Sequence, residues 1–281
     1  MPRMLATLAE GFAFLEGPRW HNGQLWVSDM HDDRVLTVDL AGRSETVVEV
    51  PGQPSGLGWL PDGRLLVVSM TDRRLLRLDA SGLNVVADLS AVATFHCNDM
   101  VVDAHGRAYV GNFGYDFEAG MPRRSAALAL VLPDGTVHTA AEDLEFPNGA
   151  VLTPDGGTLI VAESFGARLT AFDVGANGRL SRRRIWAALQ GAVPDGICLD
   201  AEGAMWIASP LSKEVLRVRE GGQVMERLPT SAQAIACMLG GPDRRTLFVL
   251  TAQSFHRDEC RAQRNARIEA VEVDVAGASL P

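Results

Sequence analysis

Apolar residues along this chain fall into short runs, each ended by a polar turn and followed by another short run. Gln24 to Ser28 (QLWVS) and Arg64 to Ser69 (RLLVVS) are representative. They are brief, rich in Val, Leu and Trp, and bounded by turn formers, a pattern that predicts strands; helix-period signals are nearly absent. The runs also recur as a unit: a small or polar residue, an apolar pair, a turn, an apolar strand, a polar break, and a further apolar strand. Copies begin at Glu16 (EGPRWHNGQLWVSDMHDDRVLTVDLAG), Ser55, Asn98, Asn148, Asp195 (DGICLDAEGAMWIASPLSKEVLRVREGG) and Ala236, spaced by 39, 43, 50, 47 and 41 residues. A repeat in the forties with three or four short strands per copy predicts propeller blades.

Turn chemistry supports the same fold. Asn22-Gly23, Asp62-Gly63, His105-Gly106, Asp155-Gly156 and Glu202-Gly203 each separate two apolar runs, and glycine supplies the positive φ of a tight hairpin. A β-helix would repeat at a shorter interval, and a sandwich would not repeat six times. The expected fold is therefore all-β, a single six-bladed β-propeller over residues 1–281. The apolar run Met4 to Leu8 lies outside the first copy and is expected to pair beside Ile268 to Val275 as the outer strand of the last blade, closing the ring.

Register turns the repeat into a site. The start of each innermost strand lies near the propeller axis, so the first residues of the copies converge: Glu16, Ser55, Asn98, Asn148, Asp195 and Ala236. Four carry carboxylate or carboxamide oxygens, and none is a large hydrophobe. Polar groups meeting in a buried channel need partners, and two carboxylates repel unless one is protonated or a cation neutralises both. A divalent metal held by Glu16, Asn98, Asn148 and Asp195 answers that need. Hard oxygen donors favour Ca²⁺, with Zn²⁺, Mn²⁺, Mg²⁺ or Fe²⁺ as alternatives. The short side chains of Ser55 and Ala236 would leave coordination positions open to water or substrate.

Composition adds limits. Hydrophobic residues make up 47% of the 281-residue chain, enough for a sizeable core. The formal net charge of −9 is a poor match for a phosphate backbone, so nucleic acid is not an expected partner. Cys97, Cys198, Cys237 and Cys260 form no C-x-x-C pair and are expected to be reduced. With no apolar stretch approaching 18 residues and no clear signal peptide, the expectation is a cytoplasmic protein without a membrane association, monomeric or weakly homo-oligomeric.

At these residues the chain resembles the senescence marker protein (regucalcin), gluconolactonase and luciferin-regenerating enzyme family. The resemblance runs the whole length and rests on LEGPRW around Glu16, NDM at Asn98, FPNGAVLTPDG at Asn148 and PDGICLDAEGAMWIA at Asp195. It implies a six-bladed propeller with one axial divalent metal and hydrolysis of sugar or other small lactones. It puts metal ligands on Glu16, Asn148 and Asp195, a substrate-side residue at Asn98, and the general base at Asp195. One departure matters: sugar-lactone hydrolases of the family usually carry Arg two residues before the position of Asn98, where this chain has His96. A titratable ring does not replace a forked cation, so a less hydroxylated lactone or ester becomes a candidate substrate. His96 is a candidate for substrate contact or proton transfer. No G-x-S-x-G elbow offers a covalent route. Insertions from Asn112 to Ala126 and from Ser254 to Ala266 place Phe113, Tyr115, Met121 and His256 as candidate pocket walls. The competing functions are a non-catalytic calcium-binding or interaction propeller, and an aryl-esterase-like propeller enzyme.

Overall fold

In the computed structural model, which describes residues 3–278, twenty-four strands form six four-stranded antiparallel sheets. Blades one to five run outward in chain order, beginning with innermost strands Leu15–His21, Pro54–Trp59, Cys97–Val102, Pro147–Leu152 and Ile197–Leu199. The sixth blade has Gln233–Gly240 innermost, then Thr246–Ala252 and Ala266–Glu272, and takes its outer strand from the other end of the chain, Ala6–Phe12. That strand pairs Ala6 with Ala270 and Phe12 with Ala266. The ring closes between the two chain ends as expected, but the N-terminal strand starts and ends later than Met4 to Leu8, and its partner ends at Glu272 rather than Val275. All five predicted turn glycines have positive φ, between 68° and 85°.

The core lies between blades. Leu66, Val68 and Leu75 of blade two pack with Met100, Ala108 and Val110 of blade three, and every neighbouring pair of sheets buries a similar seam. Each fully buried Leu or Val contributes about 1.5–3 kcal/mol, so these seams hold neighbouring blades together around the axis. The four cysteines are buried free thiols. Cys97 packs into the blade-two to blade-three seam, where burial pushes its thiol up to about 12. One short helix, Arg257–Gln263, lies in the second insertion.

Candidate metal centre and pocket

Pairing between the first and second strand of a blade slips at the axial residue. The irregularities fall between Glu16 and Arg19, Pro54 and Leu57, Cys97 and Met100, Pro147 and Ala150, and Ala234 and Ala236. A bulge lifts a side chain out of the sheet's alternation, and in these five blades it falls at the axial residue; in blade five Asp195 lies just ahead of its strand, Ile197–Leu199. The residue that follows sits where neighbouring blades nearly touch. A Cβ on Gly17 would lie 2.6 Å from the Ser55 carbonyl oxygen, and one on Gly149 2.7 Å from the Asp195 carbonyl oxygen. A Cβ on Gly196 would lie 2.3 Å from the Cβ of Ala236. Ala236 therefore occupies the place of these glycines, and the sixth axial residue is Ile235, one position earlier than the sequence register had put it. Blade six contributes a buried hydrophobe to the ring.

Glu16, Asn98, Asn148 and Asp195 come together at the floor of a single cavity, and all four are buried. The Asn148 amide donates to Ser164 Oγ (3.3 Å), and the Ser164 hydroxyl donates to the Pro194 carbonyl (2.7 Å). That chain fixes the amide, and among the described residues Asn148 Oδ1 is buried with no hydrogen-bond partner; so is Asp195 Oδ1. Glu16 Oε2 accepts only the adjacent Gly17 N–H (3.1 Å). Asn98 is loosely held, accepting from Ser55 Oγ at 3.5 Å and donating to the Pro147 carbonyl at 3.4 Å. Burial, followed by the charges of Asp195 and Asp99, pushes the Glu16 carboxyl well above its usual range. Burial and Asp99 do the same to Asp195. Two buried carboxylates and two orphaned acceptor oxygens fit a hard divalent cation. No group of three or more His, Cys, Asp or Glu side chains suited to a metal occurs among the described residues; the axial cluster holds two carboxylates and two carboxamides.

Sequence reasoning missed the groups below and around the centre. Arg19 donates to Asp99 Oδ1 (2.8 Å) and to the Pro18 carbonyl (2.8 Å), with Arg19 and Asp99 both buried. The pair joins blades one and three directly beside the axial ring. Three residues at one position of the second strands tether the loops above: Asp29 Oδ1 accepts from Phe14 N (3.0 Å), Glu163 Oε2 from Glu145 N (2.7 Å), and Ser209 Oγ from Val193 N (3.1 Å).

The cavity has a volume of about 480 Å³, within the usual range for small-molecule sites. His96 and Phe113 are among its lining residues. His96 is half-buried, its ring stacked on Phe95 at 4.0 Å, and burial lowers its titration. Tyr115, Met121 and His256 lie outside the lining; the insertions present Phe117 and Phe255 instead. His256 is exposed at the N-cap of the short helix.

A ring of six blades with a buried oxygen-donor cluster under a cavity of about 480 Å³ defines a propeller built around a small-molecule site. Residues 14–253 match the model of the SMP-30/gluconolactonase/LRE-like region, and the chain belongs to that family. It is 31% identical to regucalcin of Xenopus laevis over 162 residues, 55% of this chain and 54% of that protein, so the alignment spans about half the relative's length. Among solved structures, a calcium-binding regucalcin from Agrobacterium tumefaciens superposes with TM-score 0.82 at 22% identity, covering 100% of this chain and 97% of the other. A gluconolactonase from Xanthomonas campestris superposes with TM-score 0.77 at 23% identity, covering 97% and 90%. At those identities the structures share the fold. No helix among the described residues is long and apolar enough to cross a membrane.

Proposed function

We propose that this protein is a divalent-metal-dependent hydrolase that opens a small lactone or ester. The observation that carries the proposal is the pair of buried, unpartnered oxygens, Asn148 Oδ1 and Asp195 Oδ1, beside the Glu16 carboxyl at the floor of a cavity of substrate size. Glu16, Asn148 and Asp195 would hold the cation, with Asn98 as a fourth donor or as a substrate contact. When bound, the cation supplies Lewis-acid polarisation of a carbonyl and positive charge for a developing oxyanion. Asp195 takes a proton from the attacking water as its oxygen bonds to the carbonyl carbon, and the proton passes to the alkoxide as the ring C–O bond breaks. Asn98, through its amide N–H, and His96, as neutral imidazole, orient the substrate oxygens. Membership of a family with gluconolactonases supports the reaction class, and the calcium-binding relative supports the metal.

The test is a lactone and ester panel on metal-stripped protein, with Ca²⁺, Mn²⁺, Zn²⁺, Mg²⁺ and Fe²⁺ restored separately. Turnover should return with at least one metal and be lost in Asp195→Ala. Stoichiometric metal binding with no turnover on any substrate would replace this reading with a calcium-binding role.

A further inference from the structure

The residues that contact a substrate above the axial oxygens are set by the same register. Each innermost strand is entered from a loop, and the loop residue two positions before the axial one reaches the same cavity. Two positions before Glu16, Ser55, Asn98, Asn148 and Asp195 stand Phe14, Gln53, His96, Phe146 and Val193, and all five line the cavity. This second ring contains no charged side chain. Of its two polar members, Gln53 donates its amide to His31 Nδ1 (3.2 Å), whose Nε2–H donates to the Phe255 carbonyl (3.0 Å). His96 lies flat on Phe95.

Around this ring the wall is aromatic. Seven of the ten phenylalanines in the chain line the cavity. Phe95, Phe113, Phe117, Phe146 and Phe165 form one continuous arc, with Phe113 stacked on Phe146 at 4.6 Å and Phe146 against Phe165 at 4.6 Å. Phe14 and Phe255, 5.8 Å apart, face it from blades one and six. Phe146 holds φ at +62°, a conformation rarely adopted by a bulky residue; the Glu163 tether on the preceding N–H keeps it there. Strain of this kind persists where the surroundings fix it, and here it sets a ring into the wall. Apart from Glu16 and Asp195 at the axis, the charged lining residues, Asp116, Glu118 and Arg257, lie on the insertions, with Arg257 already paired to Asp33 (2.5 Å). Phe117, Phe165 and Leu211 continue the apolar surface outward, 39%, 36% and 73% exposed.

A polyhydroxylated lactone would bury several hydroxyls against these rings without partners, and each unmet group costs binding. We propose that the cavity takes an uncharged aromatic carbonyl compound, an aryl or arylalkyl lactone or ester, and rejects sugar lactones. The inference rests on the hydrolase reading only for the reacting carbonyl; the class of the remaining group follows from the wall.

Calorimetric titration of the intact protein with chroman-4-one, which is aromatic, uncharged and inert to hydrolysis, tests this apart from turnover, with 1,5-anhydroglucitol as the polyol. Chroman-4-one should bind one to one, at least about 100-fold tighter than the polyol. Phe146→Asn, which keeps a residue that tolerates positive φ, should weaken it about tenfold. Phe117→Ser, on a partly exposed loop, gives a second variant that folding does not limit and should also weaken it. Equal or tighter binding of the polyol, no binding of the ketone, or unchanged affinity in both variants would overturn the inference. Hydrolysis of dihydrocoumarin is scored separately. Ketone binding with no turnover of dihydrocoumarin or of any other lactone or ester in the panel, with each metal restored, would refute the hydrolase and leave the aromatic pocket. Turnover of gluconolactone with dihydrocoumarin refused would do the reverse.

Discussion

Gly149 offers the sharpest test of how the ring holds its donors. It lies between Asn148 and the strand start that carries Asp195, donating its N–H to the Asp195 carbonyl at 3.2 Å. A Cβ at this position would stand 2.7 Å from that carbonyl oxygen, 2.7 Å from Ile197 N and 2.9 Å from Gly196 Cα. All three are backbone atoms, so no side chain can swing aside. Ordinary contact begins near 3.4 Å, so Gly149→Ala must push blades four and five apart by roughly 0.5–0.7 Å at the axis. Overpacking of this kind costs about 1–3 kcal/mol. At about 2–4 °C per kcal/mol for a chain of this size, the melting temperature should fall by roughly 2–12 °C. The same displacement separates Asn148 from Asp195, and a shift of that order at a reacting centre lowers rate by up to about 100-fold. Thermal melts of the metal-stripped and metal-restored variant, with a metal titration, measure both effects. Gly157→Ala, at an exposed turn where the nearest contacts are 3.3 Å from the Asp155 carboxylate, is the control and should change stability by less than about 0.5 kcal/mol. A Gly149→Ala protein with wild-type melting and metal affinity would refute the claim that blade contact at the axis sets the donor spacing.

Three further outcomes are expected. Glu16→Gln should weaken metal binding at least about 100-fold yet raise the melting temperature of the metal-free protein at pH 7.5, because a buried carboxyl whose titration is raised in the fold weakens stability above its unfolded value; a lower metal-free melting temperature would contradict this. Arg19→Met strands Asp99 as a buried, unpaired acid and should cost about 3–5 kcal/mol in urea unfolding, most of it recovered by adding Asp99→Asn; a single variant as stable as wild type would show the pair to be neutral. Burial lowers the His31 titration, so below about pH 6.5 the unfolded chain binds a proton that the fold resists. The His31 contribution to stability is therefore complete near pH 7.5 and declines in acid, and His31→Gln should show a shallower loss of urea midpoint between pH 7.5 and 5.5 than wild type.

How much of this was legible in the sequence follows from how often each feature occurs. The blades, their turns and four axial oxygens could be read because six copies present the same position, so chance turn residues at Glu16, Asn98, Asn148 and Asp195 would have to agree in register. The sixth copy was misread by one residue because nothing polar marks Ile235 and because Ala236, not glycine, fills the close approach to Gly196; only the backbone packing distinguishes the two. The Arg19–Asp99 pair joins residues eighty apart through a bulge that strand periodicity does not announce. The second ring was readable by the method that gave the first, since Phe14, Gln53, His96, Phe146 and Val193 lie two residues upstream of the axial positions, yet only His96 had been singled out there. The insertions are different in kind. Each occurs once, so no second copy constrains it, and which of Tyr115 or Phe117, or of His256 or Phe255, turns inward depends on local backbone such as the start of a seven-residue helix. Repetition fixes where chemistry can occur in this fold, while the single-copy loops decide what is brought to it, and in this chain those loops bring phenylalanine.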